Sequence, residues 1–95
     1  MKLSIDKQAA DLYIREMGLA AGDALRIFVR LGGCGSVQPG LSLGIMKETP
    51  RDPGIEHVVA GIRFYMENDN LWYLDNRDLY VRYDESEDDV YFDVH

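Results

Sequence analysis

The residue in this 95-residue chain best suited to do chemistry is its single cysteine. Cys34 sits in Leu31-Gly32-Gly33-Cys34-Gly35-Ser36-Val37-Gln38-Pro39-Gly40, a stretch with four glycines and a proline. Such a backbone can approach a ligand closely, and a thiol held in it is sterically open. Deprotonated, it is a soft donor suited to zinc, copper(I) or an iron-sulfur cluster, and the N–H groups around Gly33 and Gly35 can lower its pKa or bond a cluster sulfide. Arg30 adds positive charge nearby in sequence. The plainer reading is a wide hairpin connection that happens to contain a cysteine. A complete metal site needs three or four ligands, and no Cys-x-x-Cys pair supplies them. His57, in an expected edge or loop segment, and His95, the last residue, are the other nitrogen donors. A homodimer that brings two copies of Cys34 together, with carboxylates, water or a small thiol completing the shell, makes more chemical sense than a site within one chain.

Nucleophilic catalysis would pair Cys34 with one of those histidines, but nothing in the spacing fixes their geometry, and the chain reads as a non-enzyme. The loop lacks the lysine and hydroxyl of a phosphate-binding loop and the third glycine of a dinucleotide fingerprint. The acidic run Asp84 to Asp89 lacks the spacing of a calcium loop and reads as a solvated turn. Trp72, Tyr73, Tyr80, Tyr83 and Tyr91 either fill the core or form an exposed recognition surface.

The elements that must position these residues follow from periodicity. Asp6 stands where an N-cap belongs, and Ala10, Tyr13, Ile14 and Met17 recur at helical spacing, so a helix over residues 7 to 17 is expected, closed by Gly18. Leu25, Ile27, Val29 and Leu31 then alternate with Arg26, Phe28 and Arg30, and Leu41, Leu43 and Ile45 continue the alternation. The two segments predict an antiparallel hairpin around the cysteine loop. Lys47 to Gly54, with two prolines, breaks regular structure. Ile62, Phe64 and Met66 mark another strand, Leu71 and Leu74 a short helical turn, and Leu79 to Tyr83 and Val90 to Val94 two final strands. Five or six strands and one long helix, without βαβα order, predict an α+β or barrel-like architecture in one domain spanning 1-95.

Hydrophobic residues make up 46% of the chain and charged residues 28%, as in an ordinary globular domain. A lone cysteine predicts a reducing compartment, and the N-terminus lacks the apolar core of a signal peptide, so a cytoplasmic protein is expected. The formal charge is −7. Residues 67 to 95 hold ten acids against Arg77 and Arg82, a balance of −8, so the excess lies in the C-terminal third. That third repels phosphate backbones and anionic headgroups, which argues against nucleic acid and membrane as partners. The acids read first as charge that keeps a small domain soluble, with a basic protein or a divalent cation as the alternative.

The segment LRIFVRLGGCGSVQPGLSLGI resembles the core motif of the HesB/IscA family of A-type iron-sulfur carriers, in which a strand ends in a glycine-flanked cysteine. GIRFYMENDNLWYLDNRDLYVRYDE and DVYFDVH are similar to the strands that follow in that family. The resemblance implies a mixed sheet forming a distorted barrel or sandwich with the N-terminal helix packed on it. It also implies Cys34 as metal ligand, flanked by Gly33 and Gly35, with iron or an iron-sulfur cluster as cofactor. Dimers and iron-sulfur assembly or acceptor proteins are the partners it implies. The sequence departs from the family at its end, where the Cys-Gly-Cys motif is missing, and around the cysteine, where Cys-Ser-Gly becomes Cys34-Gly35-Ser36. The expected role is an accessory protein of iron-sulfur biogenesis or metal homeostasis, with transient binding at a shared site. Its rival is an interaction module that kept the fold, lost the chemistry and recognises a protein through its acidic, aromatic C-terminal third. A third option is redox sensing by Cys34.

Overall fold

The computed structural model describes residues 1–32 and 38–95. The chain begins with strand β1, Leu3–Ile5, and helix α1, Lys7–Met17. Four strands follow: β2, Ala24–Leu31; β3, Leu41–Lys47; β4, Pro53–Val59; and β5, Ile62–Glu67. A 3-10 helix, Asn68–Leu74, leads into β6, Leu79–Asp84, and β7, Asp89–Val94. The strands form two mixed sheets, one ordered β1-β6-β7 and the other β3-β2-β5-β4.

Helix α1 has the length its periodicity predicts. Its C-terminus closes as expected: Gly18 takes a left-handed conformation and donates its N–H to the Ile14 carbonyl. Its N-terminus does not. The Asp6 carboxylate makes no cap; it accepts the Tyr83 N–H at 3.2 Å and ties the helix start to β6. The predicted stripe holds in part: Ala10 is buried and Tyr13 and Ile14 pack against the core, but Ala9 and Leu12 are buried as well and Met17 is 39% exposed.

The hairpin of β2 and β3 pairs in the predicted antiparallel sense, from Leu25↔Lys47 to Leu31↔Leu41. Leu25 and Ile27 are fully buried, but Leu31 is 88% exposed, contrary to the expectation that it points into the core. The cause lies in the neighbour. β5 runs parallel to β2 only over Ala24–Arg26, so the far end of β2 runs past it. Where β5 departs, the Asn70 side chain substitutes for it, its Oδ1 accepting the Val29 N–H at 3.2 Å.

β4 is a strand that the two prolines concealed. Pro53 opens an edge strand, where no ladder donor is needed, and a bulge follows between Pro53 and Ile55. A Cβ at Gly54 would stand 2.5 Å from both Asn68 Oδ1 and Leu71 Cδ1, so the glycine admits the 3-10 helix against the strand. The helical turn expected around Leu71 and Leu74 is that 3-10 helix, and it buries Tyr73 and Leu74.

The core joins both sheets: Leu3, Ile5, Leu79 and Val81 from one meet Leu25, Ile27, Ile62, Phe64 and Met66 from the other, with Ala9 and Ala10 of α1. On one side the sheets are linked, because His57 Nδ1 of β4 accepts the Ile5 N–H of β1 at 2.9 Å. On the other side the edge strands β3 and β7 are not paired with each other. The α+β class and the helix packed on mixed sheets agree with expectation; the barrel is not closed.

Candidate protein-binding groove

Between those unpaired edges lies a groove of about 420 Å³ lined by α1, β3 and β7. Alternation builds its walls. Leu43 and Ile45 on β3 and Val90 and Phe92 on β7 are the inward positions of their strands, and they pack against the core without being fully buried. Leu12, Tyr13 and Met17 of α1 form the third wall. Gly44 has its own reason for being glycine: a Cβ would come within 2.8 Å of the Phe28 ring, which lies across it on the outer face.

The rim is acidic. Glu16, Asp88 and Asp89 border the apolar walls. The Tyr83 hydroxyl donates to Asp88 at 2.5 Å, and Arg15 stands 3.7 Å from the same carboxylate. Asp89 accepts the Val90 N–H at 2.8 Å, which fixes its orientation at the start of β7. Burial pushes the Tyr13 hydroxyl up to about 12, with a smaller push from Asp89, so the ring presents a neutral phenol to the groove. Its ring lies tilted against Phe64, 6.2 Å between centroids.

A second cleft of about 500 Å³ lies among Asp23, Lys47, Glu48 and Arg63. It is larger, but its charges are already committed. Lys47 pairs with Asp23 at 3.3 Å, Arg63 donates to Glu56, and Asp23 is held below the usual carboxylate range chiefly by the Ala20 N–H.

The sequence-derived candidates fall elsewhere. Gly33, Cys34 and Gly35 lie outside the described residues. His57 is engaged through Nδ1 with Ile5, and His95 stacks on Tyr80 at 4.9 Å with Nδ1 3.2 Å from Asp93. Among the described residues no group of three or more histidine, cysteine, aspartate or glutamate side chains could hold a metal. The aromatic residues divide: Tyr73 is core, Trp72 is 56% exposed on the 3-10 helix, and Tyr80 lies between Arg82 and Lys2. With Tyr73 in the core the five do not all share one surface, but Tyr91, 47% exposed, stands across the β6–β7 ladder from Arg82, beside Tyr80. Sequence reasoning missed the groove, although the alternation of β3 and β7 and the helical position of Met17 supplied its walls. The missing information was that the two strands end as separated edges.

No family model matches the chain. A curated protein of Bacillus subtilis named pyruvate dehydrogenase inhibitor is 43% identical over 93 residues, covering 98% of this chain and 98% of that protein. The chain belongs to the pyruvate dehydrogenase inhibitor family. Membership corrects the HesB/IscA assignment and, with it, the role in iron-sulfur biogenesis or metal homeostasis and the assembly and acceptor proteins expected as partners. The resemblance rested on strand order and one glycine-flanked cysteine, which any small α+β fold with a glycine-rich hairpin can present. In this family member no described helix is long and apolar enough to cross a membrane.

Proposed function

We propose that this chain is a non-catalytic inhibitor that acts on pyruvate dehydrogenase by binding it as a protein partner. The observation that carries the reading is the end-to-end relationship: identity of 43% extends over 98% of both chains, so the similarity is not confined to a shared fragment. At that level the two chains share fold and core, and the surfaces built on that frame are the natural carriers of a shared role. The reading takes up the interaction-module alternative that the acidic C-terminal third suggested. It places recognition in protein surface, because inhibition by a 95-residue domain requires contact with the inhibited enzyme and no chemistry of its own.

The test is a titration. The purified pyruvate dehydrogenase complex, supplied with CoA and NAD+, is assayed for pyruvate-dependent NADH formation with increasing amounts of this protein. The expected result is a saturable fall in rate, with co-elution of the two proteins on size exclusion. An undiminished rate at large molar excess sinks the proposal. A fall in rate that continues for hours at a fixed protein concentration would indicate covalent modification and overturn the non-catalytic part.

A further inference from the structure

We infer that the groove between β3 and β7 receives an extended, basic and apolar segment of the inhibited enzyme, which lies as an added strand between the two sheet edges. The inference rests on the inhibitory reading above and names the surface that performs it.

Three observations converge. First, β3 and β7 end their respective sheets on the same side of the molecule, and both line one groove. An edge strand presents a row of N–H and C=O groups that an incoming strand satisfies directly, the basis of recognition by strand addition. Here a single strand would meet two such edges, displacing the Asp89 carboxylate from the Val90 N–H at the start of β7. It would continue the order β1-β6-β7 into β3-β2-β5-β4, whose far ends His57 already links through Ile5.

Second, the walls select the side chains. Leu43, Ile45, Val90 and Phe92 face the groove from the two strands. A strand between them points alternate residues at the core, so every second residue of the occupant is apolar.

Third, the rim selects the charge. Glu16, Asp88 and Asp89 border the groove, in a chain of net charge −7. Arg15 offsets them in part, at 3.7 Å from Asp88. An occupant with lysine or arginine at its outward positions gains attraction where an acidic one meets repulsion. A second copy of this chain carries the same acidic rim, which disfavours self-pairing at this face.

The probes are two six-residue peptides, one alternating lysine with valine and one alternating glutamate with valine, titrated into the isotope-labelled protein. The inference requires the lysine peptide to shift the amides of Leu43, Ile45, Val90 and Phe92, weakening as salt rises, and the glutamate peptide to leave them unmoved. Equal response to both peptides, or none, overturns it. So do shifts at these amides that grow with protein concentration without peptide, which would make a second copy the occupant. In parallel, the double variant Glu16→Lys with Asp89→Lys is assayed against pyruvate dehydrogenase. Both side chains are at the surface, so the fold is retained, which a thermal melt verifies. Inhibition should weaken by about tenfold or more. Unchanged inhibition by the variant refutes the groove while leaving the inhibitory reading intact. Failure of the wild type to inhibit refutes that reading, and the peptide titration then decides the groove by itself.

Discussion

Ala60 is the residue whose conformation most plainly opposes its side chain. The β4–β5 hairpin turns on Ala60 and Gly61, both at positive φ (53° and 78°), with Val59 paired to Ile62. Two positive values in a two-residue loop define the turn whose twist matches the flanking strands, and it favours Asn-Gly over Ala-Gly. The chain therefore carries a strained alanine. Ala60→Asn should stabilise the fold by about 1 kcal/mol, raising Tm by roughly 5 °C. A Tm at or below that of the wild type in calorimetry would show that the strain is relieved elsewhere. Three aspartates make a second residue-scale argument. Asp23 is held below the usual carboxylate range chiefly by the Ala20 N–H, Asp84 by the Ser86 hydroxyl, and Asp93 by the Arg82 guanidinium. Each folded value lies under the unfolded one, near about 3.9. Their stabilisation is accordingly complete above that unfolded value and is lost as pH falls through the lower folded values. Urea unfolding across the acid range should show a falling limb that Asp23→Asn flattens. An identical limb in the variant would remove Asp23 from the account.

At the scale of elements, the connection from β3 to β4 is held by one buried carboxylate. Glu67, 4% exposed at the end of β5, accepts the N–H groups of Arg51 and Asp52 at 3.2 to 3.3 Å. The Arg51 side chain stands 3.6 Å from the same group, and the Asp52 carbonyl accepts the Asn68 N–H at 2.9 Å. Glu67→Ala should cost about 1–3 kcal/mol and speed hydrogen exchange at Arg51 and Asp52 selectively. Uniform exchange changes would mean that Glu67 serves the whole core and not this connection. The same region marks what could be read in advance. Helix α1, the β2–β3 hairpin, β5, the helical turn and the β6–β7 pair were legible because apolar spacing is a local property of the chain. β4 was not legible, since Pro53 and Gly54 signal a break unless one knows that the strand is at an edge and that a 3-10 helix presses on it. Leu31 misled for a similar reason: alternation reports which side a residue faces, not whether anything covers that side. The groove needs sheet order, and the spacing of residues on one strand carries none. The family resemblance erred at the same level, by weighting one cysteine and an order of strands that distinct families share.

For the molecule as a whole, asymmetry between its two sides is the governing feature. One side is joined by the bond from Ile5 N–H to His57 Nδ1, and the other is open between β3 and β7. His57→Ala removes the acceptor and leaves a part-buried N–H unpaired, which should cost about 1–3 kcal/mol. Amide exchange should then accelerate at Ile5, with little change at Leu43 or Phe92 across the molecule. Acceleration of equal size at all three would mean that the joined and open sides are not independent.

β1 pairs in parallel with β6, Leu3 against Leu79 and Ile5 against Val81, a separation of 76 residues. A ribosome adding about 5–20 residues per second makes the first strand wait roughly 4 to 15 s for the residues it must join. During that interval Leu3 and Ile5 have no sheet to enter, although α1 and the sheet β3-β2-β5-β4, whose pairings all lie within residues 24 to 67, can already form. Completion of the fold is thus a late event in synthesis, set by the arrival of β6 and not by the helix that precedes it.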